Sequence, residues 1–291
     1  MTWKRVATAA VLIPFVVGMV LWGSTAWVAL ALAVVILLAL FEYFALGDAI
    51  GHRAYRFWTA TCALILVYVQ WVSAVEPAYQ LAGGLWLHRQ VGRFAEGLAH
   101  VSDAFFIFVF GVAVLTVWTK RPLVEGLPAA GISASGLLLV AFPLTFAVRL
   151  HALGQEGPRL LLFALVIIWV GDTVAYFVGR GLGKHPLAPH LSPKKTWEGS
   201  VASLAGSLLV GAVFTRWLSA PLPHLLAMAG IGNIAGQVAD LLESAYKRSA
   251  GVKDSGGLLP GHGGILDRID ALILAIPVVW YYWTLVYSPG M

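Results

Sequence analysis

Long apolar segments, separated by short polar stretches, make up almost the whole chain. A helix that spans the hydrocarbon core of a bilayer needs about 20 mostly apolar residues. The chain offers about nine such segments. Their approximate ranges are 6–22, 26–46, 57–75, 101–119, 130–150, 160–179, 199–218, 224–246 and 269–287. The pattern predicts an all-α polytopic membrane protein with about nine transmembrane helices, built as one integral membrane domain over residues 1–291.

Composition supports this prediction. Apolar residues make up 59% of the chain and charged residues 11%, against roughly 25% charged in ordinary globular domains. The net charge of +5 does not indicate nucleic acid, because basic cytoplasmic loops and anionic lipid headgroups explain it better in so apolar a chain. The single cysteine, Cys62, lies in an apolar segment and is expected to pack there.

The first apolar segment follows Lys4 and Arg5 and therefore resembles a signal peptide. The apolar run continues to Trp22, and a second span follows at once, which favours an uncleaved first helix. Tryptophans at many of the predicted span ends match the aromatic belt of membrane proteins.

Basic residues are distributed unevenly between the two sets of loops, and cytoplasmic loops usually carry the excess. With the N-terminus in the cytoplasm, 14 of the 19 Lys and Arg residues fall inside. The five outside are Arg89, Arg93, Arg149, Arg159 and Arg216. We therefore expect the N-terminus in the cytoplasm and the C-terminus outside.

This orientation places the polar stretches 180–198 and 247–268 on the cytoplasmic side. The segment 76–100 falls outside and is expected to be a surface helix without chemistry. Residues 1–150 are expected to form lipid-facing helices and a candidate dimer surface, and 160–287 the catalytic half. Glu42, in the second span, is expected to lie near the cytoplasmic interface rather than to act in catalysis.

The stretch from Asp240 to Asp270 holds 9 of the 33 charged residues. Span eight, which overlaps the start of this stretch, carries polar residues at helical spacing. These are Asn233, Gln237, Asp240, Ser244 and Lys247. They form a stripe roughly 80° wide, with Glu243 on its edge. Such a stripe must face protein or a water-filled cavity. Interhelical hydrogen bonds would explain Asn233 and Gln237, but they explain Asp240 poorly.

Two further parts of the chain hold candidate functional residues. Asp172 lies inside span six, where a carboxylate is costly, and either acts in function or pairs with a lysine. Ser192, Lys194, Lys195 and Thr196 precede span seven, and Ser192-Pro193 suits the start of a turn or helix. Two ammonium groups and a helix start can bind phosphate, although lysines in that loop could serve only as topological anchors.

The loop between spans eight and nine combines cations, glycines and carboxylates. Its glycines, which include Gly263 and Gly264, allow close backbone approach to an anion. Asp240 and Asp267 lie on different helices at the cytoplasmic border, which fits Mg²⁺ bound together with phosphate oxygens. Zinc is not expected, because His262 has no second histidine or cysteine at ligand spacing. His262 either bonds within the loop or contacts a phosphate.

These motifs resemble the phosphatidate cytidylyltransferase (CDP-diacylglycerol synthase) family. The resemblance lies mainly in an ungapped signature within Ser244–Asp270. It comprises Ser244, Lys247, Arg248, Lys253, Asp254, Pro260, His262, Gly263, Gly264, Asp267, Arg268 and Asp270. The stretches G-D-T-V-A-Y-F-V-G-R and S-P-K-K-T-W-E-G are also similar to the family's, and the similarity covers roughly residues 165 to 285. Ala239 departs from it, since many members have glycine there.

The resemblance implies a membrane enzyme that joins CTP and phosphatidate into CDP-diacylglycerol and pyrophosphate for phospholipid biosynthesis. It implies Mg²⁺ bound by Asp240 and Asp267, and it is compatible with a second cation such as K⁺ and with a homodimer. On this hypothesis Asp240, Asp267, Lys253 and Asp172 are catalytic. The substrate-binding residues would be Ser192, Lys194, Lys195, Thr196, Lys247, Arg248, His262, Gly263, Gly264 and Arg268. The site would face the cytoplasm from the inner membrane.

Two other functions remain open at this point. A secondary transporter could use Asp172, Asp240 and Glu243 as a cation path, but it leaves the 247–270 loop unexplained and lacks paired broken helices. A CTP-dependent polyprenol kinase would share the nucleotide and the membrane. The absence of a DDxxD sequence argues against a prenyltransferase.

Overall fold

The computed structural model describes residues 2–81, 100–257 and 263–288, with side chains from residue 10 to 75 in the first range. Most of the predicted surface helix at 76–100 and the predicted substrate contact His262 therefore lie outside the described residues. The α-helices are α1 Thr2–Trp22, α2 Thr25–Ala49, α3 Arg56–Leu81, α4 Val101–Trp118, α5 Gly126–Gly136, α6 Phe142–His151, α7 Gly157–Leu182, α8 Trp197–Phe214, α9 Leu222–Ser249 and α10 Leu266–Tyr281.

The predicted all-α membrane architecture is confirmed. Eight helical segments in the described part of the chain are long and apolar enough to cross a membrane. Eight of the nine predicted spans therefore have a counterpart, and for the first span helix α1 contributes the shorter apolar stretch Ala10–Trp22. The largest difference in bounds is in the fifth span, which was predicted to start at 130 and starts at Leu123. The fifth span is continuous from Leu123 to His151 and contains the π-helical turn Leu137–Ala141 between α5 and α6. A second π-helical turn, Tyr282–Tyr287, extends α10.

A two-stranded antiparallel hairpin lies between α7 and α8. Strand β1 covers Pro186–Ala188 and β2 covers Ser192–Thr196, with Pro186 opposite Thr196. The sequence led us to expect a turn or helix start at Ser192-Pro193, but the structure has a strand there, and α8 begins at Trp197. The helix starts later because Thr196 is its N-cap, accepting a 3.2 Å hydrogen bond from the Gly199 amide.

Two hydrophobic cores hold the helices together. Phe163, Leu225, Met228 and Ile276 belong to the core of the second half, formed largely by α7, α9 and α10. The other core is built mainly from α2, α3 and the fifth span, and it also includes Leu266 and Ile273 of α10. Helix α10 therefore packs into both halves. It carries Asp267 and Asp270, the last aspartates of the motif, at their junction.

Candidate active site

Polar contacts between α8 and α9 lead toward the site. The side-chain amide of Asn233 donates 2.9 Å hydrogen bonds to the hydroxyls of Ser203 and Ser207. Gln237 Nε2 donates a 2.6 Å bond to the side-chain oxygen of Asn233, Oδ1. Ser200 bonds Gln237 in turn. This part of the predicted polar stripe therefore joins two helices, as the interhelical explanation required.

The stripe continues from these neutral residues into an ion pair. One turn beyond Gln237, Asp240 pairs with Lys195 of β2. The hairpin is also fixed to α9 by Arg248, whose Nε donates a 3.1 Å bond to the Leu191 carbonyl oxygen. The structure thus brings together the two polar stretches that the sequence could only place on the same side of the membrane.

Asp172 of α7 lies beside this ion pair. Asp240, Lys195 and Arg268 are all near enough to act on its charge. Helix α7 approaches closely here because Gly171 faces the polar contacts, and a Cβ at that position would come 2.6 Å from the Asn233 amide nitrogen. Asp172, Lys195 and Asp240 therefore line one site, with Asp172 and Lys195 supplied from opposite ends of the 172–195 segment.

Three carboxylates converge at the centre of the site. One oxygen each from Asp240, Glu243 and Asp270 lies within 4.8 Å of the others. Both Glu243 oxygens are buried and lack a hydrogen-bond partner within the described residues, although one forms an ion pair with Lys247. Sequence reasoning had assigned neither Glu243 nor Asp270 to metal binding. The only signals were Glu243's place at the stripe edge and the i, i+3 spacing of Asp267 and Asp270.

Asp267 lies next to this cluster but makes different contacts. Its Oδ1 accepts a 2.6 Å bond from Lys247, and its Oδ2 accepts bonds of 3.1 and 2.8 Å from the Ser255 and Gly264 amides. Lys247 thus lies between Glu243 and Asp267, although we had expected it to bind substrate. A carboxylate offers about four lone-pair positions, so one acceptor position of Asp267 remains.

The other predicted site residues make few contacts with the carboxylates. Lys194, predicted to bind substrate, and Lys253, predicted to be catalytic, are exposed, and the Arg248 guanidinium donates bonds to the Leu191 and Val252 carbonyl oxygens. Gly263 has a φ of +80°, a conformation that suits glycine, and a Cβ there would lie 2.8 Å from Asp267 Oδ2. The roles of these residues stay predictions.

Glu42 of α2 is the residue that sequence reasoning placed outside the site. Its carboxylate accepts bonds of 3.0 Å from the Ser255 hydroxyl, 3.0 Å from the Ile265 amide and 2.8 Å from the Leu266 amide. A lone acidic residue in an apolar span was the available signal. Nothing in the spacing of the sequence connects it with a loop more than two hundred residues later.

With this geometry in place, comparison with known proteins identifies the family. A model of the cytidylyltransferase family matches residues 3–286. The chain belongs to the cytidylyltransferase family. The resemblance based on the sequence motifs is thereby confirmed, together with the enzyme class, a nucleotidyltransferase.

Several relatives of the cytidylyltransferase family are named phosphatidate cytidylyltransferase. The protein from Haemophilus influenzae is 30% identical over 289 residues, covering 96% of this chain and 98% of its own. That from Bacillus subtilis is 35% identical over 192 residues, covering 64% and 69%. One from Staphylococcus saprophyticus is 43% identical over 145 residues, covering 49% and 56%. The similarity therefore extends beyond the motif-rich half.

Proposed function

We propose that this cytidylyltransferase transfers CMP from CTP to phosphatidate, giving CDP-diacylglycerol and pyrophosphate for phospholipid biosynthesis. The observation that carries the proposal is the similarity over 96% of the chain to a protein named phosphatidate cytidylyltransferase. The arrangement of carboxylates beside Lys195 and Arg268 supports it, because a nucleotide triphosphate needs charge neutralisation.

The reaction we propose is an in-line displacement at phosphorus. A phosphate oxygen of phosphatidate forms a bond to the α-phosphorus of CTP, the bond from that phosphorus to the β-phosphate oxygen breaks, and pyrophosphate leaves. Because the attacking phosphate is already anionic, no strong general base is required. Catalysis then rests on positioning and on neutralising charge.

The cations of the site are the groups suited to that task. Lys195 pairs with Asp240, Arg268 is near enough to Asp172 to act on its charge, and Lys194 and Lys253 are exposed. We assign these four to the triphosphate and the leaving pyrophosphate. Lys247 and Arg248, predicted to bind substrate, contact carboxylates and carbonyl oxygens, so their proposed role is to shape the site.

The donor set fits a divalent cation such as Mg²⁺. Asp240, Glu243 and Asp270 offer hard oxygen ligands close together, and the Glu243 oxygens have no hydrogen bonds to satisfy them within the described residues. We propose that these three would hold the ion, with Asp267 keeping its predicted role through its remaining acceptor position. When bound, the ion would neutralise charge on phosphate oxygens.

We also propose that the site faces the cytoplasm from the inner membrane, where CTP is available. The excess of basic residues in the loops on the site's side supports this orientation. A second cation such as K⁺ and a homodimer formed through residues 1–150 remain part of the proposal that comes from the family resemblance.

The decisive experiment uses purified protein in mixed micelles with CTP and phosphatidate, with and without Mg²⁺. We expect a lipid product whose mass has increased by CMP, formed only with the divalent cation. A bare added phosphate on a polyprenol would instead indicate a kinase, and ion flux without CTP a transporter. Failure to form CDP-diacylglycerol at saturating substrates would overturn the proposal.

Metal assignment is tested by titrating Mg²⁺ against Asp270→Asn and Asp267→Asn. If Asp270 is a ligand, its variant should need at least about tenfold more Mg²⁺ for half-maximal turnover. Near-normal turnover of Asp267→Asn at saturating Mg²⁺ would contradict the assignment of Asp267. An unchanged Mg²⁺ requirement in Asp270→Asn would remove that residue from the proposed ligands.

A further inference from the structure

Two carboxylates, Glu42 and Asp267, bind the described residues on both sides of the glycine-rich loop, which are Ser255 and residues 264–266. At its first end, Ser255 gives its hydroxyl to Glu42 and its amide to Asp267. At its second end, the Gly264 amide bonds Asp267, and the next two amides bond Glu42. Asp267 is part of the same segment, whereas Glu42 comes from α2 in the other half.

The start of α10 explains why an acceptor from another helix is needed. The first amides of a helix have no partner within it, and a side chain at the N-cap usually accepts one. The N-cap here is Ile265, which has no polar side-chain atom. Glu42 accepts the Ile265 and Leu266 amides instead, and its negative charge is favourable at this end of the helix.

Two glycines, Gly256 and Gly264, lie too close to Glu42 for any other residue. A Cβ added at Gly256 would clash with the Glu42 carboxylate, whose nearest oxygen would be 2.5 Å away. A Cβ added at Gly264 would clash with both Glu42 and Ser255. At Gly257 an added Cβ meets nothing within 4 Å. Close approach of the backbone to Glu42, rather than to a ligand, therefore requires glycine at 256 and 264.

Helix α2 is itself held against the catalytic half beside Glu42. The Tyr43 ring packs edge-on against Tyr246 of α9, with centroids 5.7 Å apart, and its hydroxyl donates a 2.8 Å bond to Ser135. The side chain of Tyr43 is buried. Helix α2, which carries Glu42, therefore cannot shift without breaking the contact between Tyr43 and Tyr246.

We propose that Glu42 is a positioning residue for the nucleotide site, because it sets where Ser255 and the start of α10 lie relative to Asp240 and Lys195. The N-terminal half then contributes to the chemistry through α2. This inference rests on the proposed function for its kinetic part and is independent of it for its structural part.

The structural part is tested by amide hydrogen exchange on the full-length protein in micelles, without substrates. Glu42→Gln replaces one of the two accepting oxygens by an NH₂ group, and the remaining oxygen can serve either the Ile265 amide or the Leu266 amide in their present positions. We expect at least one of these two amides to exchange at least about tenfold faster, while amides in the middle of α9 stay unchanged. Unchanged exchange at 265 and 266 would overturn the inference, whether or not the protein proves to use CTP.

The kinetic part compares Glu42→Gln, Glu42→Asp and the matched control Asp48→Asn. Asp48 lies on the same helix and pairs with Arg56 away from the loop. A misplaced loop should raise KM for CTP and lower kcat/KM about tenfold or more, with KM for phosphatidate unchanged. Glu42→Asp, which keeps the charge, should fall between Glu42→Gln and the parent, and Asp48→Asn should stay within about twofold.

A general loss of folded enzyme gives a different result, since it lowers kcat alone and affects both substrates equally. That result, or equal activity of Glu42→Gln and the parent, contradicts the inference. If Glu42→Gln does not fold, Ser255→Ala decides, because it removes only the hydroxyl bond to Glu42. Ser255→Ala is then expected to raise KM for CTP a few-fold, and an unchanged KM would overturn the proposal.

Discussion

Replacing Lys247 by methionine tests the charge balance at the centre of the site. Lys247 is 9% exposed and forms ion pairs with Glu243 and Asp267. Methionine preserves much of the side-chain length and removes the cation. Removing one partner of a buried ion pair typically costs about 3–5 kcal/mol, because the remaining charge is buried without compensation.

The two carboxylates should not share this cost equally. Asp267 keeps its hydrogen bonds from the Ser255 and Gly264 amides, whereas Glu243 has no hydrogen bond from the described residues. Most of the loss should therefore come from Glu243. Adding Glu243→Gln to Lys247→Met should recover more than about half of the lost stability, because it removes the uncompensated charge.

The assay is the free energy of unfolding of the purified protein in mixed micelles, measured by tryptophan fluorescence as the fraction of SDS rises. Lys253→Met is the matched control, since Lys253 is exposed and should change stability by no more than about 0.5 kcal/mol. A loss under about 1 kcal/mol in Lys247→Met would refute the reasoning about burial. A double variant no more stable than Lys247→Met would refute the assignment of the cost to Glu243.

Three further predictions concern packing, the loop and orientation. Asn233→Ala should lower the free energy of unfolding by about 1–2 kcal/mol, since it removes bonds to two serines, whereas Val238→Ala on an exposed face should cost much less. Gly264→Ala should abolish turnover or folding, and Gly257→Ala should retain turnover within about twofold, because only the former Cβ overlaps Glu42. A cysteine at Gly257 should react with a membrane-impermeant maleimide only from the cytoplasmic face, and labelling from the outside of intact cells would contradict the orientation drawn from the basic loops.

The spans were predictable because a membrane imposes a length and a polarity on each helix. Even so, the hairpin at 186–196 was missed, since a short strand in a polar loop leaves no periodic signal over so few residues. Helical spacing correctly grouped Asn233 and Gln237 on one face, and bonds to Ser203 and Ser200 of α8 account for both. Local periodicity was therefore reliable where one helix face was involved.

The site itself was only partly accessible to the same reasoning. Asp240 and Lys195 were both expected to belong to the site, and they form an ion pair. Asp267 was expected to bind metal, and the structure adds its bonds to Lys247 and two amides, which no spacing rule supplies. The sequence could name the charged residues that needed partners, because unpaired charge is costly in a bilayer, but it could not say which partner each would choose.

Hydropathy, loop charge and the motif between Ser244 and Asp270 were enough for the membrane architecture and the family, because each of them is written in short stretches of chain. The contacts of Glu42 with the start of α10 could not be predicted from these stretches. The same holds for the grouping of Glu243 and Asp270 with Asp240. Those contacts join residues from different helices, and they exist only once α2, α9 and α10 have packed. The polar groups are satisfied by whatever partners that packing brings within hydrogen-bond distance, so their roles follow from the tertiary structure.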